Sequence, residues 1–85
     1  MLHELRVPKL ELLRFIQLRE VIDIMDLVNE YGFSYDSARN KLYRLEKQKL
    51  VEKLGIHRGA YCLTNEAYKK LEYYEQVLHN SSHKP

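Results

Sequence analysis

Eighty-five residues, 10.2 kDa and a formal net charge of +2 allow one small domain and are too little for most enzymes. The single cysteine, Cys62, excludes an intrachain disulfide framework and a multi-cysteine metal site. No apolar run approaches the ~20 residues of a membrane span, and Met1–Arg6 lacks the apolar stretch of a signal peptide, so a cytoplasmic domain with no membrane partner is expected.

Pro8 suits the first turn of a helix, where its missing N–H costs nothing. Leu10, Leu13 and Ile16 recur at threes with Leu12 and Phe15 beside them, which predicts a helix over Pro8–Arg19. Val21 and Ile22 are β-branched and predict a brief extended segment leading to Asp23, a good N-cap. Ile24, Leu27, Val28 and Tyr31 then stand at i, i+3, i+4 and i+7, and Gly32 stops this second helix, Ile24–Tyr31.

Phe33 follows as an apolar turn residue, and Ser34 caps a third helix, Tyr35–Gln48, with Ala38, Leu42 and Leu45 on its inward face. Leu50–Leu54 and Ala60–Leu63 predict the two strands of a hairpin around a tip bounded by Gly55 and Gly59. Thr64 or Asn65 can cap a last helix with the stripe Ala67, Leu71, Tyr74 and Leu78, ending near His79. Residues 80–85 are polar, without apolar periodicity, and predict a disordered tail behind a single domain of residues 1–79.

The net charge conceals its distribution. Residues 1–30 carry four basic and six acidic side chains, and residues 63–85 carry three of each. Residues 31–62 carry seven basic and three acidic side chains, a balance of +4. A local basic segment attracts a polyanion even on a nearly neutral chain. The competing explanation is an ordinary solvated Lys/Arg face.

The predicted class is α+β, mainly α. Helix, short strand, helix, turn, helix, two-stranded hairpin, helix is the element order of a winged helix-turn-helix domain. The stretch Asp23–Val51 resembles that family through the pair Leu27-Val28, the turn glycine Gly32, the pair Phe33-Ser34, and Ala38 followed by leucines four and seven positions later. Leu50-Val51 resembles the family's entry into the wing, and Tyr61–Thr64 its exit into a closing helix. The resemblance covers residues 10–79, and in size and plainness it is to the small stand-alone archaeal or archaeal-virus regulators. At Gln48-Lys49 the chain departs from the many members that place a glycine there. The implied architecture is a three-helix core, a two-stranded wing and a C-terminal helix.

The resemblance implies sequence-specific binding of double-stranded DNA by a transcriptional regulator. The third helix would enter the major groove, and the wing would lie on the backbone or in the minor groove. The positions that match the family's recognition helix are Ser34, Tyr35, Ser37, Arg39, Asn40, Tyr43, Arg44 and Lys47. Arginine reads guanine bidentately and asparagine reads adenine, and Ser34 as a cap turns helix amides towards a phosphate. Asp36 opposes phosphate, although it suits a helix N-terminus. At the wing tip His57 and Arg58 are the candidate contacts, with Lys53 assisting. For each of these residues the alternative is an ordinary surface position.

A chain this short is often marginal alone. Tyr73 and Val77 form an i, i+4 pair beside the core stripe of the last helix. Together with Tyr74 and Leu78 they predict a homodimer interface, the alternative being one broad stripe packed on the chain's own first helix. Cys62 reads as a small buried apolar residue or as a thiol able to crosslink a dimer. His79 and His83 are four apart without a further ligand nearby, and His3 and His57 are isolated, so no metal is expected. No phosphate loop or catalytic set is evident; no enzyme activity, cofactor or small-molecule ligand is expected. Two rivals use the same fold: a protein-interaction module and a nonspecific architectural DNA binder.

Overall fold

The computed structural model describes residues 7–55 and 59–82, with the backbone alone over 78–82. Pro8 is extended and stands just before the first helix, α1 (Lys9–Arg19), rather than inside it. Leu12, Leu13 and Ile16 are buried, while Leu10 and Phe15 are partly buried against the same core. The helix ends in a tight γ-turn: Glu20 has φ 70°, and Val21 N–H donates to the Arg19 carbonyl across it at 2.8 Å. That turn delivers Ile22 to a bridge with Tyr61, in which each N–H donates to the other's carbonyl, at 3.0 and 2.8 Å.

Asp23 then caps α2 (Ile24–Tyr31) in a reciprocal box. Its carboxylate accepts from Asp26 N–H, and the Asp26 carboxylate accepts from Asp23 N–H, both at 2.9 Å. Gly32 closes the helix at φ 75°, a left-handed conformation that glycine adopts without strain, and its N–H donates to the Val28 carbonyl. Phe33 is buried in the turn, with Tyr31 stacked on it at 5.3 Å between centroids.

Ser34 caps α3 (Tyr35–Lys47) by accepting from Ser37 N–H at 3.1 Å, and Ala38, Leu42 and Leu45 are buried on one side. The helix stops at Gln48 through a two-bond C-terminal motif. Leu50 N–H donates to the Leu45 carbonyl and Lys49 N–H to the Glu46 carbonyl, both at 2.9 Å, with Lys49 at φ 64°. The left-handed position that ends α3 is thus taken by a lysine rather than a glycine.

β1 (Val51–Lys53) and β2 (Tyr61–Leu63) are antiparallel, with Val51 opposite Leu63, Glu52 opposite Cys62 and Lys53 opposite Tyr61. Strand alternation buries Val51, Tyr61 and Leu63 and turns Glu52 and Cys62 to the other face. The strands are shorter than Leu50–Leu54 and Ala60–Leu63, with single backbone bonds beyond them, from Leu54 N–H to the Ala60 carbonyl at 2.9 Å and from Thr64 N–H to the Leu50 carbonyl at 3.0 Å. Of the cap candidates for α4 (Asn65–Ser82), Thr64 takes the role: its hydroxyl accepts from Ala67 N–H at 3.2 Å.

α4 reaches Ser82, three residues beyond His79, so residues 80–82 are helical where a tail is expected; His83–Pro85 lie outside the described residues. The protein is thus α+β and mainly α, with four helices and one hairpin around a single apolar core among the described residues. Among the described residues, no helix is long and apolar enough to cross a membrane.

Candidate functional site

α3 carries most of the site residues expected from the sequence. With Ala38, Leu42 and Leu45 held inward, Asp36, Asn40, Tyr43 and Lys47 follow one another at i, i+4, i+7 and i+11 along the outward ridge. All four are exposed, Tyr43 at 55%. Lys47 Nζ stands 5.5 Å from the centroid of the Tyr43 ring, so cation and ring form one surface on the last turns. Arg39 flanks this ridge on one side and Arg44 on the other. Tyr35 and Ser34 are exposed at the start of the helix, and Ser37 is half-buried.

Beside the ridge the helix and the hairpin enclose a cleft of about 380 Å³. Arg39, Asn40, Tyr43 and Glu46 line it from α3, Lys53 from β1 and Tyr61 from β2. Three residues expected from the recognition-helix pattern therefore share one concavity, whereas Ser34, Tyr35, Ser37, Arg44 and Lys47 stand outside it. Glu46 and Tyr61 were not marked by that pattern. Glu46 stands seven positions after Arg39, which puts it on the same helical flank; Tyr61 is brought in by the hairpin alone. Of the expected hairpin-tip contacts, His57 and Arg58 lie outside the described residues.

Among the described residues, the one ion pair joins Arg19 Nη2 and Asp26 Oδ1 at 3.4 Å, away from this surface. Arg39, Arg44 and Lys53 pair with no carboxylate there, even though Glu46 lines the same cleft as two of them. Lys41 is turned aside, its Nζ 4.9 Å from the centroid of the Phe33 ring. The cations on the ridge and in the cleft are thus available to an external anion.

The second expected surface is on α4. Ala67 and Leu71 are buried, but residues 72–77 are all exposed. Tyr74, expected to cover the core with them, is 39% exposed. Tyr73 is 63% and Val77 40% exposed, and the Tyr73 and Tyr74 rings meet edge to face at 5.7 Å. Glu72, Glu75 and Gln76 occupy the other side of these turns. The side chain of Leu78 lies outside the described residues.

Cys62 is half-buried rather than fully buried. Burial first, and the Glu52 carboxylate opposite second, raise its pKa above the ordinary thiol value. Both causes oppose the thiolate, which is the nucleophilic form.

Comparison of the chain with protein-family models, with curated proteins and with solved structures finds no match.

Proposed function

We propose that the chain is a winged helix protein that binds double-stranded DNA sequence-specifically and regulates transcription as a homodimer. α3 enters the major groove, which is ~12 Å wide and admits a helix, and the β1–β2 hairpin is the wing beside it. The observation that carries this reading is the outward surface of α3. Asn40, Tyr43 and Lys47 stand exposed in line, with Arg39 and Arg44 on its flanks free of ion pairs among the described residues. Asn40 and Arg44 are side chains suited to adenine and guanine edges. Asp36 on the same ridge disfavours phosphate at that point and so limits how the helix can lie.

The homodimer reading is supported by α4. Its last turns extend past the domain's own core while presenting Tyr73, Tyr74 and Val77 on adjoining faces. A second copy of the same helix would cover them about a two-fold axis, and a palindromic operator with half-sites ~34–36 Å apart follows.

The decisive experiment is a duplex library selected against the protein and compared with random duplex at one salt concentration. A selected consensus with tighter binding than random duplex is expected. Equal binding of both would make the protein a nonspecific architectural binder. Absence of duplex binding even at low salt would overturn the DNA reading in favour of a protein partner.

A further inference from the structure

The cleft between α3 and the hairpin shares Asn40 and Tyr43 with the outward ridge and adds cations from two elements. Arg39 reaches it from the helix and Lys53 from β1, so two cations on separate elements border one concavity. Neither forms an ion pair among the described residues. Asn40 and Tyr43, on the same wall, add neutral hydrogen-bonding side chains. The opposite wall is backed by Tyr61, which stands opposite Lys53 in the hairpin register and exchanges both its backbone hydrogen bonds with Ile22, while Leu54 N–H, next to Lys53, donates to the Ala60 carbonyl. The position of Lys53 relative to α3 is therefore set by paired backbone and not by a free loop.

Resting on the DNA reading, we infer that this cleft seats a backbone phosphodiester of the duplex, held jointly by Lys53 and Arg39. Arg39 then positions the protein on the backbone and reads no base; base reading falls to the outward ridge, with Asn40 at its centre. Two cations of like sign converging on one cleft suit a single anion, whereas bidentate reading of guanine requires an arginine directed at the base edge. Glu46, on the same wall, disfavours an anion beside it, which leaves the phosphate to the part of the cleft nearer Arg39 and Lys53.

Phosphate contacts and base contacts leave different signatures. The test measures duplex affinity over a salt series for the unmutated chain, Lys53→Ala, Arg39→Ala, the double variant of these two and Lys53→Arg, each on a selected and a random duplex. Loss of one phosphate contact lowers the slope of log K against log[salt] by about 0.9. Because both cations hold one phosphate, Lys53→Ala and Arg39→Ala are each expected to lower it by up to that amount and the double variant by no more than one such step, each variant weakening both duplexes by the same factor, while Lys53→Arg keeps the slope. Both residues are exposed, and unchanged thermal unfolding of each variant confirms the fold.

An unchanged slope for Lys53→Ala, or a loss confined to the selected duplex for Arg39→Ala, overturns the seat while leaving DNA binding intact. Failure of the unmutated chain to bind any duplex removes the DNA reading itself, and the seat with it. The slope change identifies the occupant as a phosphate of the duplex, because a cleft that took only free phosphate would leave the slope of every variant unchanged.

Discussion

The Thr64 hydroxyl donates to the Lys49 carbonyl at 2.7 Å while accepting from Ala67 N–H at 3.2 Å. One side chain thus ties the left-handed residue that ends α3 to the first turn of α4. The backbone reinforces this link, since Thr64 N–H donates to the Leu50 carbonyl at 3.0 Å. The junction holds the hairpin in place between its two flanking helices. Thr64→Val keeps the shape of the side chain and removes both hydroxyl bonds. Loss of a helix cap together with a side chain to backbone bond is expected to cost about 2 kcal/mol. For a domain of this size that lowers the melting temperature by about 10 °C. Thr64→Ser, which keeps the hydroxyl, recovers most of the loss in a thermal melt followed by circular dichroism.

Lys49 at φ 64° lacks the freedom that glycine has in that region. Its side chain is exposed, so no packing is lost on its removal. Lys49→Gly is therefore expected to raise stability by about 1 kcal/mol, read as an increased denaturant midpoint with an unchanged slope.

Legibility followed the local signals. α2 has the bounds its pattern predicts, because Asp23 and Gly32 punctuate both ends with side-chain and backbone chemistry. The inward face of α3 was equally legible, since Ala38, Leu42 and Leu45 have no polar residue among them to blur the period. The end of α4 was not, because neither glycine nor proline stops the chain between His79 and Ser82, and propensity alone marks no boundary there. Lys49 was legible as an exception to a pattern but not as a left-handed residue, which only the Leu50–Leu45 and Lys49–Glu46 bonds reveal. The site divides in the same way. The ridge follows from helical spacing, whereas the union of Arg39 with Lys53 depends on the hairpin folding back beside α3, and no spacing in the chain encodes that distance.

Tyr31 is half-buried between Phe33, stacked at 5.3 Å, and Phe15, edge-on at 5.6 Å. Burial, then the Glu11 and Glu30 carboxylates, raise its phenol pKa above the ordinary value near 10. The folded state therefore holds the proton more tightly than the unfolded state. The resulting stability is fully present below pH ~10 and is lost as pH rises through the folded value. Denaturant unfolding between pH 8 and pH ~11.5 is expected to show a stability decline that Tyr31→Phe makes shallower, because phenylalanine keeps the ring contacts and removes the titration.

Asn40 stands at the centre of the outward ridge. If it reads a base edge, Asn40→Ala removes discrimination without removing a charge. The expected result is a loss of about 1–3 kcal/mol on the selected duplex, with a much smaller loss on random duplex. The salt slope stays as in the unmutated chain. Equal losses on both duplexes would place Asn40 among the backbone contacts instead.

The exposed turns of α4 make a separate prediction about assembly. Tyr73 and Val77 are large and apolar, and the domain beneath covers neither. Sedimentation at micromolar concentration is expected to give a species of twice the 10.2 kDa chain mass. Tyr73→Glu together with Val77→Glu places four carboxylates in a two-fold interface, and removal of such central anchors weakens binding by about 2 kcal/mol or more, roughly thirtyfold. The double variant should sediment as a monomer with unchanged helix content, since both side chains are exposed in the single chain. A monomer for the unmutated protein, or a dimer unaffected by both substitutions, would remove α4 as the interface.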